Sequence, residues 1–144
     1  MKTFDEQLSR TISNIVRAKI KACWENSIRG AFALAKRSPD EMVWYVEGFV
    51  YDEQFRIYYE HGWIETETMI LDPTRVLHQN IGYEYFPGAF FQIGKDLVDK
   101  KKAKGMLPLV RSCGAGGMAH SGYKQSLASV HLRWKELHEK CVVS

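Results

Sequence analysis

No run of about 18 apolar residues occurs in this 144-residue chain, which excludes a membrane-spanning helix on length and polarity. The N-terminus, MKTFDEQLSRTISNIVRAK, carries a charge every few residues and lacks the uninterrupted apolar core of a secretory signal, so export is not expected. Cysteine is scarce. Cys23, Cys113 and Cys141 are odd in number and widely spaced, which fits a reducing, cytoplasmic setting better than a disulfide framework. No CxxC or HxxxH pair is present, and the five histidines do not cluster with the cysteines into a ligand set, so neither a metal nor any other cofactor is expected. Net charge is also low, at +3, with much of the basic excess in Lys100, Lys101, Lys102 and Lys104. Such a run reads more simply as a solvated helix face than as a phosphate-binding surface, so nucleic acid is not the expected partner. The glycine-rich stretch Cys113 to Gly117 lacks the Lys-Ser/Thr ending of a nucleotide loop and reads as a surface loop.

What remains is ordinary globular composition, 45% hydrophobic and 26% charged, in a chain long enough for a single domain spanning 1–144. Phe4, Leu8, Ile12, Ile15, Val16 and Ile20 recur at helical spacing and predict a helix from Phe4 to Lys19. A second stripe, Trp24, Ile28, Ala31, Phe32 and Ala35, runs to Ser38-Pro39, where proline disfavours helix. No glycine or proline separates the stripes, so the spacing admits either a break near Cys23 or one long helix that buries it.

From Met42 the pattern changes. MVWYVEGFV, FRIYYEHGWIE and TMILD are dense in β-branched and aromatic residues and predict three strands, joined by turns at Tyr51 to Glu53 and Glu65 to Thr68 into an antiparallel meander. Tyr83 to Phe86 and Ala89 to Ile93 read as short strands interrupted at Pro87-Gly88. Lys95 to Lys104 reads as a short polar helix, and Tyr123 to Glu139 as a C-terminal helix with Leu127, Val130, Trp134 and Leu137 along one side. The expected fold class is therefore α+β, with N-terminal helices packed on an antiparallel sheet.

Thiol catalysis needs a cysteine able to become thiolate, an imidazole to take its proton and a group that orients the imidazole. A helix beginning at Cys23 would aim unpaired backbone N–H groups at the sulfur. His61 and Asp72, eleven positions apart across a hairpin, can lie side by side on adjacent antiparallel strands. Singly, Cys23 reads as a small buried hydrophobe, His61 as a hydrogen-bonded strand histidine and Asp72 as a turn residue before proline. Their combination favours chemistry.

The strings Cys23-Trp24-Glu25-Asn26-Ser27, Tyr45-Val46-Glu47-Gly48, His61-Gly62-Trp63 and Ile70-Leu71-Asp72-Pro73-Thr74, followed by Tyr85, Gly88 and Phe91, resemble the transglutaminase-like and papain-like cysteine proteins of bacteria and phages. The resemblance covers the middle half of the chain. It departs from the family at His61-Gly62, where alanine is common in the second position. It implies a Cys23-His61-Asp72 triad and acyl transfer from a peptide or protein substrate to water or an amine, as in a thiol protease, hydrolase or transferase, with the Cys23 backbone N–H at the oxyanion. Asn26 or a tryptophan indole is the candidate side-chain donor there. Trp24, Glu47 and Trp63 are candidates to line the substrate cleft, Trp63 sharing strand parity with His61. The rival expectation is a non-enzymatic binding protein that uses the same aromatic cleft to hold a peptide or protein.

Overall fold

The computed structural model describes residues 1–78, 82–104 and 107–109. The expected C-terminal helix, the loop at Cys113 to Gly117, and Cys141, His120, His131 and His138 lie outside them. In chain order the elements are β1 (Thr3–Phe4), α1 (Glu6–Val16), α2 (Cys23–Arg37), β2 (Trp44–Asp52), β3 (Ile57–Glu65), β4 (Met69–Leu71), a 3₁₀ turn (Arg75–Leu77), β5 (Tyr83–Gln92) and α3 (Lys100–Lys104). Among the described residues no helix is long and apolar enough to cross a membrane.

The class is α+β, but the sheet is mixed rather than wholly antiparallel. The strand order is β1-β4-β3-β2-β5, and β1 runs parallel to β4. Thr3 and Asp5 donate backbone bonds to the carbonyls of Thr68 and Ile70, both at 3.1 Å. Those residues precede α1, which is shorter than its periodicity predicts. Asp5 starts the helix by accepting from the Leu8 N–H at 2.9 Å, and Arg17 stops it in the left-handed conformation (φ 52). Ile20 falls beyond the stop and is 60% exposed. A second left-handed residue, Lys21 (φ 63), turns the chain so that α2 begins at Cys23.

β2, β3 and β4 form the expected meander, with β2 and β3 paired along their whole length. β5 is one continuous strand. Pro87-Gly88 bends it instead of breaking it, because Gly48 pairs with Pro87 while Glu47 pairs with Ala89, leaving Gly88 as a bulge. β5 also crosses to the far side of β2. The expected Lys95 to Lys104 helix is confined to Lys100–Lys104, where Ala103 is buried and Lys100, Lys101 and Lys102 are exposed, a solvated face.

The strand alternation sorts the core into two layers. On the helix side Val43, Tyr45, Ile64 and Leu71 pack with Ile12, Ile28, Ala31 and Leu34, each large apolar side chain contributing roughly 1.5–3 kcal/mol by its burial. On the other side Val46, Val50 and Trp63 are surrounded by Trp44, Tyr59, Ile70, Tyr83, Tyr85 and Phe90.

Gly48, directly opposite His61 in register, is required by that second layer. A Cβ there would run into the Phe86 carbonyl oxygen and lie 2.7 Å from Trp63 Cη2. Backbone on one side and a fully buried indole on the other leave nothing free to yield. Gly48→Ala is expected to lower stability by about 2 kcal/mol or more. An unchanged urea midpoint would refute this packing.

Candidate active site

β4 pairs with β3 only at Ile64 and Glu65. The half of β3 that carries His61 therefore has no strand on that side among the described residues, and the start of α2 fills the place. Ser27 Oγ donates to the Gly62 carbonyl at 2.8 Å, and the Trp24 ring lies over Gly62. A Cβ on residue 62 would come within 2.8 Å of Trp24 Cε3 and 3.5 Å of the Cys23 carbonyl. The glycine at this position is thus the space that seats the first turn of α2 on the strand edge.

This docking brings the three sequence candidates together. His61 Nε2 and Asp72 Oδ2 are 2.7 Å apart, with both side chains buried. Cys23, a free and half-buried thiol, lies close enough to the His61 ring to help raise the imidazole's pKa. Because Nε2 is taken by Asp72, Nδ1 is the ring nitrogen left to take a proton from the sulfur. Ala22 provides no side-chain cap to the first turn of α2, the turn that Cys23 opens.

The electrostatics follow from charge inside a dry site. Burial works against a charged imidazole, but the Asp72 carboxylate by charge and hydrogen bond, with Cys23 adding to it, raises the His61 pKa to about 10. Burial likewise pushes the Asp72 carboxyl up. The charge and hydrogen bond of His61, with donation from Arg75 N and Tyr85, override it and hold Asp72 below its ordinary value. An ion pair, imidazolium on carboxylate, is the resting state of these two groups near neutral pH.

Asp72 is fixed from every side. Its Oδ1 accepts from the N–H groups of Thr74 at 3.1 Å and Arg75 at 2.9 Å, the turn that Asp-Pro-Thr forms. Its Oδ2 accepts from Tyr85 Oη at 2.8 Å in addition to His61. Its own N–H donates to Ser9 Oγ at 3.0 Å, tying the aspartate to α1. Arg75 stacks on Phe4, 3.9 Å from the guanidinium carbon to the ring centroid, and its Nη1 donates to Tyr85 Oη at 3.4 Å.

The candidates for substrate contact are placed differently. Asn26 does not face the thiol. Its amide nitrogen donates to the Lys19 carbonyl at 2.7 Å and to Thr74 Oγ1 at 2.9 Å, and its oxygen accepts from Lys19 N at 3.0 Å. The group is spent bolting α2 to the Asp72 turn, so it is not an oxyanion donor. Glu47 does not reach a cleft either. It points to the helix side, fully buried, accepting from Tyr45 Oη and from Leu109 N, both at 2.6 Å. The strand's alternation puts it there, beside Tyr45 and away from His61. Trp63 shares the His61 face and stacks on the ring at 6.2 Å and 19°. It is fully buried with its Nε1 donating to Glu65 at 3.0 Å, a floor under the imidazole with no surface for a ligand. Trp24 alone of the four remains half-exposed beside Cys23.

Three tyrosines not anticipated as site residues lie on the same side of the sheet as the imidazole. Tyr83 meets it edge-on at 5.4 Å, Tyr59 lies at 6.3 Å, and Tyr85 covers Trp63 at 5.0 Å. Parity would have found Tyr59, two residues before His61 on the same strand. Tyr83 and Tyr85 share one parity on β5, but the strand's position across the sheet is what brings them to the site. Among the described residues no cluster of three or more His, Cys, Asp or Glu is placed to hold a metal. Compared with known proteins, the chain matches no protein-family model, no curated protein and no solved structure.

Proposed function

We propose that the chain is a cysteine-dependent acyl-transfer enzyme, a hydrolase or acyltransferase of transglutaminase-like type acting on a peptide-like amide or related ester. The observation that carries this reading is the arrangement around one ring: Asp72 Oδ2 2.7 Å from Nε2, with the Cys23 thiol near enough to the same imidazole to bear on its charge. The order of the motifs, Cys23 opening a helix, His61 on a strand and Asp72 ending the next, supports the same reading.

In this mechanism the sulfur, having given its proton to Nδ1, attacks the carbonyl carbon. A C–S bond forms and the carbonyl π pair moves to oxygen. When the carbonyl re-forms, the bond to the leaving group breaks, and that group takes the proton from Nδ1. A water or amine then returns the acyl group by the reverse sequence. Asp72 keeps its negative charge throughout and holds the ring in register.

Iodoacetamide at neutral pH, with the labelled residue identified by mass spectrometry, tests this. Cys23 is expected to react at least ~10-fold faster than Cys113 and Cys141, and His61→Ala to remove that preference. Three cysteines labelled at comparable rates would instead favour a binding protein built on the same fold.

A further inference from the structure

The carboxylate that holds the imidazole is shared with a second donor on the same oxygen. Asp72 Oδ2 lies 2.7 Å from His61 Nε2 and accepts from Tyr85 Oη at 2.8 Å, while Oδ1 is occupied by the Thr74 and Arg75 N–H groups. These donors fill a group that offers about four lone-pair sites. The direction of the Tyr85 bond is fixed by its neighbours. A guanidinium can only donate and a carboxylate can only accept, so the Tyr85 oxygen takes the Arg75 Nη1 hydrogen at 3.4 Å and its own hydrogen goes to Asp72. Tyr85 keeps that proton, because burial first and the Asp72 charge second push its pKa well above the ordinary value. Its ring covers Trp63 at 5.0 Å, and Trp63 in turn stacks on His61, so one side chain reaches both members of the ion pair.

We propose that Tyr85 is a positioning residue of this site, its hydroxyl drawing off part of the Asp72 charge so that His61 keeps the proton on Nε2 yet can release the one on Nδ1. This rests on the acyl-transfer reading and adds to it the control of the base. Donors on one oxygen compete, since each takes up part of the same negative charge, and a carboxylate that has lost one of them pulls harder on those that remain. Against burial, Asp72 already raises the imidazole pKa to about 10. Without the Tyr85 hydroxyl the ring would hold its protons more tightly still, at the step where Nδ1 must be free to take a proton from the incoming water or amine. The other charged or titratable groups facing the pair are Cys23 from α2, Arg75 from the turn after β4, and Tyr59 and Tyr83 from β3 and β5. From α1 comes the uncharged Ser9.

Tyr85→Phe removes the hydroxyl and keeps the ring that packs on Trp63. Two measurements at neutral pH read the change. One is the proton resonance of His61 Nε2–H. The other is release of nitrophenolate from 4-nitrophenyl acetate, whose burst reports acylation of Cys23 and whose later steady rate reports return of the acyl group to water. In Tyr85→Phe the resonance is expected to move downfield as the bond to Asp72 strengthens. The steady rate is expected to fall roughly 3- to 10-fold more than the burst. Nitrophenolate departs without a proton from the ring, whereas water must give one to it, and the greater basicity of each ring only partly offsets the smaller number that are neutral. A resonance that stays in place or moves upfield overturns the proposal. Burst and steady rates that fall together, or neither of which falls, overturn it as well, since a ring that only packs predicts that result. A wild-type chain with no burst overturns the acyl-transfer reading and the use of this tuning within it, whereas the resonance, which needs no turnover, decides by itself whether Tyr85 tunes the ring.

Discussion

Asp72→Ala is expected to leave a chain largely unfolded at 25 °C, whereas Asp72→Asn folds but loses the reactivity of Cys23. The alanine variant strands a buried imidazolium whose counter-charge has gone, a loss of about 3–5 kcal/mol for one half of a buried pair. It also deprives the Thr74 and Arg75 N–H groups and the Tyr85 hydroxyl of their acceptor, each worth roughly 1–3 kcal/mol where water cannot replace it. Even without full additivity this rivals the ~5–15 kcal/mol that stabilises a whole domain. In Asp72→Asn the side-chain oxygen can still accept from the two backbone N–H groups. Its amide, however, donates toward His61 and compels Nε2 to be an acceptor, which puts the ring hydrogen on Nδ1 and takes away the site that must receive the thiol proton. A fall of ~10³-fold or more in Cys23 alkylation is expected, the scale of a wrong imidazole tautomer. Urea unfolding of both variants and iodoacetamide kinetics of the second measure the two parts. Wild-type labelling in Asp72→Asn would remove the carboxylate from the mechanism.

The parts of this site that could be read from residues alone are those governed by local period. The parity of β3 places His61 and Trp63 on one face, whereas the β3–β4 pairing ends at Ile64 and Leu71, so Asp72 reaches His61 from the turn just past β4 and not from a paired strand position. The start of α2 at Cys23 left no such mark. It depends on Arg17 and Lys21 adopting left-handed backbone, an expensive conformation that neither residue type advertises and that tertiary packing enforces. The same holds for β1. Two residues of extended chain carry no periodicity, so a parallel partner for β4 is visible only in three dimensions. Asn26 and Glu47 were misplaced for a related reason. A buried amide or carboxylate has the same sequence signature whether it meets a substrate or the protein's own backbone. Here Lys19, Thr74, Tyr45 and Leu109 claim them. Long-range partners decide such roles, and β5, arriving from across the sheet with Tyr83 and Tyr85, is the clearest case.

The ion pair makes a second large effect, in pH. His61 has its pKa raised, to about 10 against an ordinary 6.5, so folding takes up its proton. The stability this brings is complete below 6.5 and is lost as pH rises through about 10. Asp72 is shifted the other way, below its ordinary 3.8. Its contribution is complete above 3.8 and declines as pH falls. The two conditions overlap between 3.8 and 6.5, where the pair stabilises the fold most. His61→Gln retains a polar side chain of similar reach but cannot carry the charge. The difference in unfolding free energy between wild type and His61→Gln is therefore expected to be largest near about pH 5, smaller near about pH 8 and mostly gone above about pH 10. Exposed lysines and tyrosines also titrate at the alkaline end, but they do so in both proteins and cancel in the difference. Urea midpoints of the pair across that range measure it. A difference that stays level from acid to alkaline pH would mean that His61 does not gain a proton on folding. A neutral imidazole buried against a carboxylate predicts the opposite slope, with the advantage of wild type growing as pH rises. The sign of one curve thus decides whether the ring rests as the imidazolium that a thiolate–imidazolium couple requires.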